Sequence, residues 1–238
     1  MNNPIEITVH FRTTGHLRAN EILDELHTFS KVLAVVSLKL TGWLLKGKSK
    51  KEAFLYDVFD ANGPTSAAAA VLTEKLKNDI DPRIVSMWNG HDDDGDGAAI
   101  KYIGRLPPEA CLMTLNMESE AFTGDWKAAA ELVTKAVLLW HASVVTVETS
   151  GYFDHRVFKD RPGVGWMLYL PKVLTVQQVP EARALIPVLG SDKKQVGTII
   201  VSITDAPFSD QNPEHVKIAN AIEVRLVDQD LLPRYADS

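Results

Sequence analysis

The sequence predicts an α+β fold: a mixed, mostly antiparallel sheet with helices packed mainly on one face, formed as a single unit over residues 1–238. Strand-like segments outnumber helical ones, and several follow one another directly in the chain, which favours antiparallel neighbours. The helical segments carry one-sided apolar stripes, as expected of helices lying against a sheet. No repeat, low-complexity tract or long linker divides the 238 residues.

Taken in order, Ile5 to Phe11 alternates apolar and polar residues and reads as a half-buried strand. Asn20 is a candidate cap for a helix carrying Ile22, Leu23, Leu26, Phe29, Val32, Leu33, Val36 and Leu40 on one face. Gly42 ends that helix, and Trp43-Leu44-Leu45 starts a short extended segment. Ser49 and Glu52 have capping-box spacing before a short helix through Ala53 to Leu55. Asn62-Gly63-Pro64 is a turn, Thr65 or Ser66 caps an alanine-rich helix to about Asn78, and Asp81-Pro82 ends it. Strands are expected over Ile84 to Trp88, Ala98 to Ile103 and Ala110 to Met117.

In the second half, a helix runs from Trp126 to His141 and a strand from Ser143 to Glu148. A polar and aromatic loop follows from Gly151 to Gly163, then strands over Val164 to Leu170 and Gln195 to Thr204. Asn212-Pro213-Glu214 supplies a cap, a first-turn proline and an acid, a strong start for the last helix.

Composition narrows the function. Hydrophobic content of 45% with 24% charged residues is that of a globular protein with a full core. A net charge of −6 argues against nucleic acid as the main ligand, because phosphate binding needs a basic surface. Cys111, the single cysteine, excludes an internal disulfide and a cysteine zinc cluster, and its place in an apolar alternation makes it a buried hydrophobe. No apolar run reaches membrane-spanning length and no signal-peptide pattern opens the chain, so a cytoplasmic location is expected.

The most unusual stretch is Met87-Trp88-Asn89-Gly90-His91-Asp92-Asp93-Asp94-Gly95-Asp96-Gly97. Glycine, asparagine and aspartate suit the tip of a β-hairpin. The aspartates must face water, a cation or a basic partner, because an unpaired buried carboxylate is costly. Asp92, Asp94, Asp96 and Gly97 match positions one, three, five and six of a calcium-binding loop, but position twelve is Ile103 and the flanks are strands rather than helices. A weak calcium module at 92–97 stays an alternative; no dedicated metal site is expected. Gly42 to Ser49 fits the phosphate-binding P-loop pattern, with Lys48 and Ser49 at its end. It follows a helix, however, and Trp43, Leu44 and Leu45 fill positions that must be slim for backbone N–H groups to wrap phosphates. Nucleotide binding at 42–49 is therefore the other alternative, and no cofactor is expected. The seven histidines show no helical metal spacing, and no nucleophile-elbow pattern occurs. An enzyme is not predicted.

Four segments in order carry a resemblance. They are Gly42-Trp43 through Lys51-Glu52-Ala53 to Val58-Phe59-Asp60; Ser86 to Asp94; Gly163 to Leu170; and Gly197-Thr198-Ile199-Ile200-Val201 through Pro207-Phe208 to Asn212-Pro213-Glu214-His215-Val216. Together they resemble the bacterial Immunity protein 52 family of polymorphic toxin systems, over about Gly42 to Leu226. The resemblance implies a protein that binds and neutralises a co-encoded toxin, commonly one of restriction-endonuclease fold, such as a type VI secretion nuclease effector. It carries over no catalytic residue. A nuclease surface must be basic, so an acidic inhibitor gains association rate and specificity against it. Asp92, Asp93, Asp94 and Asp96 are accordingly the candidate toxin-binding residues, with Trp88, Trp166 and Tyr169 as candidate apolar anchors. For each aromatic, the competing reading is a core position in the sheet.

Overall fold

A computed structural model describes residues 4–47, 57–78, 81–91, 95–118, 121–122 and 125–236. Two compact units make up the chain, Met1–His10 with Thr123–Ser238 and Phe11–Phe122. The first strand, β1 (Ile5–Phe11), shows the alternating burial its sequence predicts and places all but its last residue in the first of these units.

In the Phe11–Phe122 unit, α1 (Ala19–Val36) buries Ile22, Leu23, Leu26, Phe29 and Leu33. It starts after Arg18 rather than Asn20, because Glu21 reaches back to accept the Arg18 backbone N–H at 2.6 Å. Two-residue β2 (Leu44–Leu45) is followed by a small hairpin, β3 (Phe59–Asp60) and β4 (Gly63–Pro64). Its turn closes on Asp60, whose Oδ1 accepts from Asn62 N at 2.7 Å and Gly63 N at 3.2 Å. Thr65 Oγ1 accepts from Ala68 N at 3.1 Å and caps α2 (Ser66–Lys75). Strands β5 (Arg83–Trp88), β6 (Ala98–Gly104) and β7 (Cys111–Met117) then form an antiparallel meander, with β2 beside β5. Alternation sends Val85, Met87, Ile100, Tyr102, Met113 and Leu115 into the core. The expected capping box at Ser49 and the helix over Ala53 to Leu55 lie outside the described residues.

The other unit holds α3 (Trp126–Trp140), β8 (Val144–Thr149), α4 (Tyr152–His155), β9 (Met167–Leu170), β10 (Ala184–Leu189), β11 (Gln195–Val201) and α5 (Pro213–Asp228). Its strands pair antiparallel in the order β10, β11, β9, β8, β1. Asp125 caps α3 and Asn212 caps α5, each side chain accepting a backbone N–H two residues on, at 2.9 and 3.0 Å. The α+β class and the antiparallel character are those expected from the sequence. Strand β10 was not expected: Pro187 interrupts its apolar run, and proline is tolerated there because β10 lies at a sheet edge.

Candidate functional site

The acidic stretch is the connection between β5 and β6, and the structure shows what holds its base. Asn89 is buried, and its side chain amide donates to the Lys39 carbonyl at 2.9 Å and the Asp96 carbonyl at 2.8 Å. Its Oδ1 accepts from Ala98 N at 2.9 Å. One asparagine thus ties the end of β5, the start of β6 and the turn after α1 together, satisfying three backbone groups. Gly90 and Gly95 turn the chain with φ values of 75° and 99°, which side chains other than glycine rarely adopt. Asp96 Oδ1 accepts from Lys39 Nζ at 2.7 Å, so an internal ammonium already neutralises this carboxylate. Asp92, Asp93 and Asp94 lie outside the described residues.

Beside this base, the last turn of α1 and the turn after it expose apolar surface. Val35 is 86% exposed and Leu38 is 85% exposed, the two largest exposures among the large apolar side chains described. Leu38 immediately precedes Lys39, which grips the hairpin through both its carbonyl and its ammonium. Trp88 is half-buried and sits opposite Ala99, on the sheet face it shares with Ile84 and Ser86. Leu38 thus stands exposed next to the lysine that ties down the hairpin base.

The other two candidate anchors are core residues. Trp166 is fully buried and its indole N–H donates to the Ile203 carbonyl at 2.9 Å. Tyr169 is buried in β9 with its hydroxyl donating to the Val196 carbonyl at 3.2 Å. Their polar atoms are satisfied internally, and both side chains are buried among their neighbours.

Sequence reasoning missed a buried polar network built from residues far apart in the chain. Arg156 pairs with Glu148 through two contacts, Nε to Oε2 at 3.2 Å and Nη2 to Oε1, with both side chains nearly excluded from water. Arg156 Nη1 also donates to the Tyr235 hydroxyl at 3.0 Å, and the Tyr235 ring stacks on His10. Glu223, buried on α5, accepts from the Tyr152 hydroxyl at 2.7 Å and from the backbone N–H groups of Val157 and Val164 at 2.9 and 3.1 Å. Burial pushes the Glu148 carboxyl up, with the Arg156 guanidinium opposing it, and lowers His10 to about 4, with Arg156 adding to the effect. Gly165 is required here: a Cβ at this position would sit 2.6 Å from Glu148 Cβ and 2.9 Å from the Val147 carbonyl. The network fixes the 151–165 segment against α5 and β8.

The middle of the P-loop-like stretch is taken up by the core, and Asp92 to Asp94 of the calcium alternative lie outside the described residues. Trp43, Leu44 and Leu45 are buried, with Leu44 and Leu45 paired to β5, so the middle of the P-loop-like stretch belongs to the core. Lys48 and Ser49 lie outside the described residues. Among the described residues no cluster of histidine, cysteine, aspartate and glutamate has metal-binding geometry, and no helix is long and apolar enough to cross a membrane.

Comparison with known proteins supplies what geometry alone cannot. No curated protein matches the chain. Among solved structures, it is similar in fold to the Pseudomonas aeruginosa T6SS protein PA0821, with a TM-score of 0.54 and 9% sequence identity, over 94% of this chain and 77% of that one. The family model for Immunity protein 52 matches residues 18–234, nearly the whole sequence. The chain therefore belongs to the Immunity protein 52 family.

Proposed function

We propose that this chain protects its cell by binding and neutralising a cognate antibacterial toxin, a nuclease of restriction-endonuclease fold delivered by a type VI secretion system. Family membership supplies the immunity role. The secretion system enters through the fold likeness to a T6SS protein, and the nuclease through charge. At −6, the chain suits a basic, phosphate-binding partner met in the cytoplasm. The observation that carries the proposed interface is the hairpin base: Leu38 and Val35 project beside an acidic connection clamped by Asn89 and Lys39. Fixing the base of the hairpin lowers the ordering cost of binding there.

In this reading, Asp92, Asp93 and Asp94 steer the encounter, whereas Leu38 and half-buried Trp88 hold the complex. Asp96 acts by positioning the hairpin through Lys39. Replacing Asp92, Asp93 and Asp94 together with asparagine is expected to slow toxin association about tenfold at low salt, with the difference vanishing as salt screens the field. Leu38→Ala is expected to speed dissociation about tenfold with association unchanged, the signature of a lost apolar anchor. Stopped-flow and surface-capture kinetics against the purified toxin read both. Association rates and salt slopes identical to wild type in the triple variant would remove the acidic hairpin from the interface.

A further inference from the structure

We infer that Lys39 is a positioning residue for toxin binding, a role that rests on the hairpin interface proposed above. It fastens the acidic connection to the turn that carries Leu38, so that the two meet the partner as one body. The residues after the acidic run are held one after another. The Gly95 carbonyl accepts from Ala121 N at 3.0 Å and the Gly97 carbonyl from Glu118 N at 2.8 Å, both donors lying after β7. The Asn89 side chain donates to the Asp96 carbonyl at 2.8 Å and accepts from Ala98 N at 2.9 Å. Two further bonds tie this stretch to the exit of α1, and Lys39 supplies both. Its carbonyl accepts from Asn89 Nδ2 at 2.9 Å, and its ammonium donates to Asp96 Oδ1 at 2.7 Å.

The turn on the other side of this fastening is itself fixed. Ser37 N donates to the Leu33 carbonyl and Leu40 N to the Ser37 carbonyl, each at 3.0 Å, and Thr41 Oγ1 donates to the Leu38 carbonyl at 2.7 Å. Leu40 is fully buried while Leu38 is exposed, so the turn cannot roll over without bringing Leu40 into water. Lys39 lies between the two, and one residue sets where both Leu38 and Asp96 stand.

Charge makes this role separable from steering. Toward a basic partner an ammonium in the acidic surface is unfavourable, because it offsets Asp96 and repels the partner. Steering alone therefore predicts faster association once Lys39 is removed, whereas positioning predicts a weaker complex. The Lys39 and Asp96 side chains are 42% and 26% exposed, so the pair is a local fastening rather than a large share of the stability of the fold.

The test pairs a readout on the free full-length chain with one on the complex. In the free chain, amide hydrogen exchange at Ala98 is expected to quicken about tenfold in Lys39→Met and to return toward the wild-type rate in Lys39→Arg, which keeps a donor for Asp96. The probe for the complex is the toxin that co-purifies with the chain from its own cells. Lys39→Met is expected to release it about tenfold faster without associating faster at low salt. Adding Asp96→Asn to Lys39→Met should not speed release further, because both changes remove the same fastening. An association rate that rises in Lys39→Met with release unchanged would overturn the inference in favour of steering alone. Unchanged amide exchange would overturn it at the hairpin, whatever the toxin does. Quickened exchange with toxin kinetics identical to wild type would remove the hairpin interface itself, and the positioning role with it.

Discussion

Replacing Arg156 with methionine is expected to destabilise the chain by roughly 3–5 kcal/mol, the range for stripping one partner from a buried ion pair. Glu148 and Arg156 are both 8% exposed, so the remaining carboxylate cannot recover its hydration. Tyr235 would lose its bond from Nη1 at the same stroke. The double variant Glu148→Leu with Arg156→Met should recover much of the loss, because an apolar pair of similar volume carries no desolvation debt. The sign of the pH effect follows from the same geometry. Burial already pushes the Glu148 carboxyl up, and removing Arg156 removes the opposing influence. A carboxyl raised above its unfolded value contributes stability that is present at acid pH and lost as pH rises through its folded value. The Arg156→Met deficit should therefore be smallest near the unfolded carboxyl range and widen toward neutrality. Urea denaturation of the three proteins at several pH values measures this; a deficit below about 1 kcal/mol at neutral pH would mean that the pair is not buried as described.

The second large effect is acid sensitivity at His10. Burial, with the Arg156 guanidinium adding to it, lowers its pKa from 6.5 to about 4. Its ring also stacks on Tyr235 at 5.4 Å. For a group whose folded pKa is depressed, the unfolded chain binds the proton first, so stability is full above the unfolded value and falls as pH drops toward the folded one. Between pH 6.5 and about 4 the loss amounts to roughly 3 kcal/mol at 1.36 kcal/mol per unit. His10→Gln, which cannot take the proton, should flatten that part of the stability curve relative to wild type. Parallel curves for the two proteins across this window would show that His10 titrates normally in the folded chain.

Both effects come from contacts the sequence could not announce. Glu148, Arg156, Glu223 and Tyr235 sit in separate segments, and each alone looks like an ordinary polar residue. Local chemistry was legible where the cause is local. Thr65 and Asn212 cap helices because their side chains reach amides two or three residues away, and β5 to β7 alternate because one face is buried. The family resemblance was legible as well, in four ordered segments that the family model encompasses or overlaps. The role of the aromatics was not. All four residues of β9 are buried, so alternation carries no information there, and the burial of Tyr169 and the preceding Trp166 is read only from the structure. Strand β10 escaped notice because an edge tolerates Pro187. Leu38 belongs to no apolar stripe in the sequence, and the turn that ends α1 leaves it exposed beside Lys39. By itself the sequence determined the class, the caps of α2 and α5, the acidic connection and the family, since each rests on short-range pattern or on order along the chain. Tertiary structure alone decided which polar groups meet in the interior and which apolar groups are left outside, because burial is a property of neighbours distant in sequence.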